Sequence, residues 1–334
     1  MALKIAINGF GRIGRCVARI AATRDDVELV AINDMATLDM MAYLLKNDSV
    51  HGTFAHDVEI IDKDHIRIAG KSVKVFSDRD PKNLKFADYG AEMVLECTGV
   101  FLTQESAQVH IDNGVEKVLF SAPAKDKETA TFVLGVNEEL YAGQKIVSNA
   151  SCTTNCLGPI AKIIDDAFGI EKGLMTTIHA YTNDQNILDV KHSKDKRRAR
   201  AGAINMIPTT TGAAKAIGLV MPQLAGKLHG QSVRVPTPNV SMVDLNVIVK
   251  KNTTIEEVSA VFNKAAETTH KGLILMDKEM RVSQDFMGCP YSSIVAEDLT
   301  QVVDGNMVKV MAWYDNEWGY SERLVDMAVY ISKK

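Results

Sequence analysis

The chain has 334 residues, 46% of them hydrophobic and 24% charged, which is room and apolar content for two globular domains. A formal net charge of −4 gives no general pull toward nucleic acid or acidic membranes, and no apolar run approaches the roughly 18 residues of a membrane-spanning helix. Five cysteines (Cys16, Cys97, Cys152, Cys156, Cys289) at irregular spacing argue against a disulfide framework. With no signal-like start, a reducing cytoplasm is the expected location.

Residues 3–8 form a short, mostly apolar strand candidate, followed at once by Gly9-Phe10-Gly11-Arg12-Ile13-Gly14 and then by a helical pattern carrying Val17, Ile20 and Ala21. A lone GxGxxG is weak evidence. Here a second strand, 28–33, ends at Asp34, 20 positions beyond Gly14, the spacing of the dinucleotide fingerprint. Gly9 allows the tight turn, Gly11 lets backbone approach a pyrophosphate, and Gly14 lets helix and strand pack. The helix N-terminus offers free N–H groups and its dipole to the anion. Asp34 suits the adenosine ribose hydroxyls and repels a 2′-phosphate, so this half is expected to bind NAD.

Further strands are predicted at 71–76, 93–97, 117–120 and 145–147, with a connecting helix at 104–113. Strands alternating with helices predict a Rossmann-type parallel sheet covered on both faces, an α/β domain whose ligands sit at the carboxyl ends of strands. Thr98-Gly99 and Ser121-Ala122-Pro123 follow two such ends; they offer small polar surface for a flat ring, or are simple turn chemistry.

Ser148-Asn149-Ala150-Ser151-Cys152-Thr153-Thr154-Asn155 carries a cysteine where the strand gives way to a helix with apolar residues at Leu157, Ile160, Ala161, Ile164 and Phe168. A thiol at a helix N-terminus sees the positive end of the dipole, which predicts a lowered pKa and a reactive thiolate. A buried structural cysteine is the bland alternative, and the polar neighbours argue against it. Cys156 follows one turn later, but no His or Cys cluster completes a metal set, so no metal is expected. A helical i,i+4 pair also suits a disulfide poorly.

The second half reads differently. A segment at 174–181 contains His179; a helix is predicted at about 210–220, a strand at 243–249, a helix at 255–268 and a strand at 309–314. Fewer helices among the strands suggest an α+β domain with a mixed or antiparallel sheet. The boundary near residue 150 is tight, with no flexible linker, and Cys152 falls at it. Pro208-Thr209-Thr210-Thr211-Gly212 opens the first of these helices and fits either an anion site or an ordinary N-cap. Arg234 lies among apolar residues, where an arginine seldom sits without an anionic partner. Six of the ten residues at 191–200 are Lys or Arg, a solvated basic loop or, less well given its lack of aromatics, a nucleic-acid patch.

The stretch from Ser148 through Cys156 resembles the active-site signature of the phosphorylating glyceraldehyde-3-phosphate dehydrogenases. The likeness runs from the glycine motif to Trp313-Tyr314-Asp315-Asn316-Glu317-Trp318-Gly319-Tyr320 and covers essentially the whole chain. The resemblance implies Cys152 as nucleophile and His179 as its base. It implies cofactor contacts at Arg12, Ile13, Asp34, Arg79, Ser121 and Asn316, the last holding the nicotinamide carboxamide. Ser151, Thr153, Thr182, Arg198, Thr211, Gly212 and Arg234 correspond to groups that bind substrate phosphate and inorganic phosphate, with Arg197 open as the alternative to Arg198. The implied layout is an NAD-binding domain at 1–150, completed by a C-terminal helix (about 317–334), and a catalytic domain at 151–316. The implied reaction is reversible oxidative phosphorylation of glyceraldehyde 3-phosphate with NAD in glycolysis and gluconeogenesis, through a cysteine hemithioacetal and thioester, in a cytoplasmic homotetramer that needs no membrane or nucleic acid. One departure is Lys191, where NAD-specific members often carry proline; it either favours a 2′-phosphate or points outward. Two other readings stay open on residues alone: a sister enzyme for erythrose 4-phosphate, and a scaffold used for adhesion or RNA contact.

Overall fold

The computed structural model describes residues 2–193 and 195–334; Lys194 of the basic loop lies outside the described residues. The chain forms two compact units. The first comprises the chain up to Phe132 together with Glu139–Ser151 and Ser321–Lys334; the second comprises Val133–Glu138 and Cys152–Tyr320.

The first unit is a nine-stranded sheet: β1 (Leu3–Asn8), β2 (Val27–Asn33), β3 (Val58–Ile60), β4 (His65–Ile68), β5 (Lys71–Phe76), β6 (Met93–Glu96), β7 (Lys117–Phe120), β8 (Ala130–Thr131) and β9 (Ile146–Ser148), in the order β3-β4-β5-β2-β1-β6-β7-β9-β8. Every β1 residue but Lys4 is buried, as expected of a parallel strand covered on both faces. The glycine motif leads from β1 into α1 (Arg12–Ala21). The other helices here are α2 (Leu38–Lys46) and α3 (Gln104–Asp112), capped by Thr37 and Thr103. Sequence periodicity did not reveal α2, because Met40 and Tyr43 stand exposed on it and blur its apolar face. The sheet is parallel except at one edge, where β4 pairs antiparallel with β3 and β5. Ala69 (φ 49°) and Gly70 (φ 82°) make the two-residue turn from β4 to β5, the mirror-image turn that suits a twisted hairpin.

The second unit opens with α4 (Cys152–Phe168), whose Leu157, Ile160, Ala161, Ile164 and Phe168 are all buried. It continues as β10 (Ile170–Ala180), β11 (Ile207–Thr210), α5 (Ala213–Val220), β12 (Leu228–Val235), β13 (Ser241–Val249), α6 (Ile255–Glu267), β14 (Ile274–Asp277), β15 (Ser293–Ala296), β16 (Gln301–Val303) and β17 (Met307–Tyr314). The sheet is mixed, in the order β11-β12-β10-β13-β17-β15-β14 with β16 beside β17. The helix expected from 210 begins at Ala213 instead. The β-branched Thr209 and Thr210 extend β11 against Ser232 and Gln231 of β12. A last helix, α7 (Trp318–Ser332), runs into the first unit, where Asp326 accepts from Arg24 at 2.5 Å and Ile331 O accepts from Lys117.

Candidate active site

The three motif glycines have different reasons to be glycine. Gly9 holds φ 97°, and a Cβ on it would lie 2.7 Å from the backbone of Cys97 and Thr98. A Cβ on Gly14 would lie 2.2 Å from Gly9 O. Gly11 is the exception: a Cβ there would meet nothing within 4 Å. The protein itself therefore requires the first and third glycines, whereas the second leaves open space for a close-approaching ligand. Gly11, at the N-cap of α1, places no side chain over the helix end, so an anion can approach the N-terminus closely. These features fit a dinucleotide pyrophosphate. Gly14→Ala is expected to destabilise the fold by about 2–3 kcal/mol through overpacking. Gly11→Ala should leave the urea midpoint nearly unchanged and weaken NAD⁺ binding at least about tenfold, a contrast readable by unfolding and titration calorimetry.

Around that loop, Asp34 accepts from Phe10 N at 2.7 Å and from Ala36 N at 2.9 Å, so its carboxylate is anchored at the end of β2 with acceptor capacity to spare. The Arg12 guanidinium pairs with Asp48 at 2.5 and 3.1 Å, and Ile13 is half-buried at the start of α1. Arg79 is exposed just past β5, and Ser121 follows β7 with its hydroxyl on Cys97.

In the second unit, the cysteine and histidine come together from regular elements. Cys152 is the first residue of α4 and His179 lies near the end of β10, with Cys152 Sγ 3.6 Å from His179 Nε2. The turn into α4 passes through Ala150 at φ 57°, a left-handed conformation that a non-glycine residue adopts at some cost. His179 Nδ1 lies 2.7 Å from Ala180 O, so the ring proton sits on Nδ1 and the Nε2 lone pair faces the thiol. The parallel ladder sets His179 opposite Arg234 of β12, whose Nη1 reaches Ala180 O at 3.1 Å and Thr182 Oγ1 at 3.4 Å and lies 3.0 Å from the ring.

Burial, aided by the Arg234 cation, lowers the His179 pKa to about 3, which keeps the imidazole neutral and able to take a proton. The expected lowering of the Cys152 pKa is not met: burial pushes the thiol up, opposed by the charge of Arg234 and by hydrogen bonds from Thr153. Burial removes the water that would solvate a thiolate, and this outweighs the helix terminus. Arg234→Leu is expected to move Cys152 alkylation by iodoacetamide about one unit higher in pH, because the offsetting cation is gone. Labelling rates measured across a pH series check this.

One contributor was missed at the sequence level. Tyr314 is buried at the end of β17, and its hydroxyl contacts Thr153 Oγ1 at 2.8 Å and Thr177 Oγ1 at 2.9 Å. It thereby ties the residue after Cys152 to the strand that carries His179. The available signal was its in-facing place in an alternating strand, where a tyrosine hydroxyl needs partners.

The phosphate candidates fall into two groups. Thr182 lies beside Arg234, as above. Arg198 donates to Thr209 Oγ1 (2.9 Å), Thr210 O (3.2 Å) and Asp184 (2.5 Å), next to Thr211 and Gly212 at the start of α5. Thr211 Oγ1 accepts from Ala213 N at 3.2 Å. Arg197 is exposed, and the structure gives its side chain no such contacts. Ser151 is half-buried and Thr153 buried at the head of α4. Lys191 is exposed.

A dinucleotide loop at the switch point of a mostly parallel sheet in one unit, with a second unit built on a mixed sheet, defines an NAD-dependent oxidoreductase. Residues 3–104 match the family model described as glyceraldehyde 3-phosphate dehydrogenase, NAD binding domain, and residues 151–316 match that of the C-terminal domain. Glyceraldehyde-3-phosphate dehydrogenase 1 of Bacillus cereus is 54% identical over 333 residues, covering 99% of both chains. The Geobacillus stearothermophilus enzyme is 51% identical over 336 residues, covering 100% of this chain and 99% of its own. The chloroplastic A form of Chlamydomonas reinhardtii is 51% identical over 335 residues, covering 99% and 89%. The chain belongs to the glyceraldehyde-3-phosphate dehydrogenase family.

Proposed function

We propose that the protein oxidises glyceraldehyde 3-phosphate to 1,3-bisphosphoglycerate, with Cys152 as nucleophile and His179 as general acid and base. The observation that carries this reading is the 3.6 Å approach of Cys152 Sγ to the His179 Nε2 lone pair. His179 takes the thiol proton as sulfur adds to the aldehyde carbon, returns it to the alkoxide, and takes it again as the hemithioacetal is oxidised. NAD, when bound, supplies the acceptor for the hydride. Gly9, Gly11, Gly14, Arg12, Ile13, Asp34, Arg79 and Ser121 hold it, and Asn316 meets its carboxamide. The resulting Cys152 thioester is attacked by inorganic phosphate, which expels the thiolate. Thr182 and Arg234 receive one phosphate, and Ser151, Thr153, Arg198, Thr211 and Gly212 the other; the contacts of Arg198 beside Thr211 favour it over Arg197.

The domain assignment follows the same reading: 1–150 with the C-terminal helix from about 317 for NAD, and 151–316 for catalysis. A cytoplasmic homotetramer is its assembled form, on the strength of the family resemblance. No helix among the described residues is long and apolar enough to cross a membrane.

The test is the initial rate of NADH formation from glyceraldehyde 3-phosphate and NAD⁺, with and without inorganic phosphate. Sustained turnover that requires phosphate, with a burst near one NADH per subunit in its absence, is expected. Equal steady turnover without phosphate would mean that water resolves the thioester and would overturn the phosphorylating assignment.

A further inference from the structure

Ser241, the first residue of β13, is buried, and its hydroxyl lies between two groups of the same unit. Ala180 N donates to Ser241 Oγ at 3.0 Å, and Ser241 Oγ donates to Asn316 Oδ1 at 2.7 Å. A backbone N–H can only donate, so the hydroxyl accepts there, and because the Asn316 atom in contact is the amide oxygen, which can only accept, the hydroxyl proton goes to it. An amide group that receives this proton must turn its oxygen toward Ser241 and its Nδ2 away. That Nδ2 has no hydrogen-bond partner among the described residues, although Asn316 is 6% exposed. A buried amide that keeps two donors unspent on the protein is arranged to give one to something else.

We propose that Ser241 is a positioning residue for the nicotinamide carboxamide: its hydroxyl, fixed by Ala180 N–H, sets the Asn316 amide so that Nδ2 faces the cofactor as a donor to the carboxamide oxygen. This rests on the reading of Asn316 given above. Without the hydroxyl, the amide loses the contact that distinguishes its two orientations about the terminal torsion, and the wrong one sets oxygen against oxygen. The same hydroxyl satisfies the N–H of Ala180, the residue whose carbonyl orients His179, so one serine serves both the cofactor amide and the base. This asymmetry matters because a ring held in one orientation offers one face to the substrate.

The test compares NAD⁺ with ADP-ribose, which keeps the adenosine, pyrophosphate and ribose but lacks the nicotinamide. Ser241→Ala is expected to weaken NAD⁺ binding about tenfold in titration calorimetry, the value of about one hydrogen bond, and to leave ADP-ribose binding unchanged. In an Asn316→Ala background the same substitution should cost nothing further, because the group it orients is absent. Equal weakening of both ligands, or an undiminished effect in the Asn316→Ala background, would overturn the proposal in favour of a purely structural serine. If Asn316→Ala weakens NAD⁺ but not ADP-ribose while Ser241→Ala changes neither, the carboxamide reading stands and this proposal fails. If Asn316→Ala also leaves NAD⁺ unaffected, both fail. Ser241→Cys, nearly isosteric and with only a weak donor, decides the matter by the same comparison should the alanine variant not fold, with an expected loss of severalfold for NAD⁺ alone.

Discussion

Cys152→Ala is expected to lower kcat for NADH formation by about 10⁵- to 10⁶-fold, the scale on which loss of a covalent nucleophile acts, while NAD⁺ binding persists. No other thiol stands ready to replace it. Cys156 is fully buried one turn further along α4, its Sγ 3.9 Å from Ala312 O, and burial pushes its pKa well up. Burial pushes the Cys97 thiol up to about 12. Burial raises the Cys152 thiol as well, but Cys152 stands at a helix start with an unprotonated ring nitrogen aimed at it. Serine should rescue little, because an alcohol is far harder to deprotonate than a thiol and a neutral imidazole is the only base beside it. Stopped-flow measurement of the first turnover decides the point. A Cys152→Ala protein that still released a burst of NADH would remove this residue from the chemistry.

Asp315→Ala is expected to cost about 4 kcal/mol of stability, in the tail of single-substitution effects. Asp315 is buried and gathers four donors: Asn239 Nδ2 at 2.7 Å, Gly288 N at 2.8 Å, Glu317 N at 2.9 Å and Trp318 N at 2.8 Å. Two of these belong to the turn that starts α7, so the carboxylate acts there as a helix cap. Alanine would leave all four donors without their acceptor, at roughly 1–3 kcal/mol for each that stays dry, reduced by relaxation. Asp315→Asn, which keeps one oxygen, should lose less than half as much. Urea midpoints at a fixed protein concentration measure both, and a loss under 1 kcal/mol for alanine would show that water or a neighbour replaces the carboxylate. Because Asn316 follows directly, NAD⁺ affinity should fall along with stability.

The legible parts of the sequence were those written in short-range pattern. The β1 run, the glycine motif and Asp34 announce a nucleotide loop because their spacing is fixed by one strand–turn–helix unit. The apolar face of α4 was equally visible. Geometry assembled from distant segments was not. Nothing near residue 179 reveals that β12 lies beside it in parallel, with Arg234 directly across. The Ser241 hydroxyl and the Tyr314 hydroxyl each acquire meaning only once β10, β13 and β17 are side by side. The thiol's pKa was misjudged for the same reason: the helix terminus is a local feature, while burial is a property of the whole fold.

The pairing of β10 with β12 has a consequence for how chains of this kind can change length. His179 meets Arg234 because the ladder from Gly173 and Leu228 onward runs residue for residue. Inserting or deleting one residue within β12 would bring Val233 or Val235 opposite the imidazole and turn the guanidinium to the other side of the sheet. The charge beside the histidine would vanish. Changes of length are therefore expected to be tolerated only outside this ladder, as in the long excursion between Ala180 and Ile207, and the hydrogen-bonded strands act as a ruler that fixes where the chemistry falls.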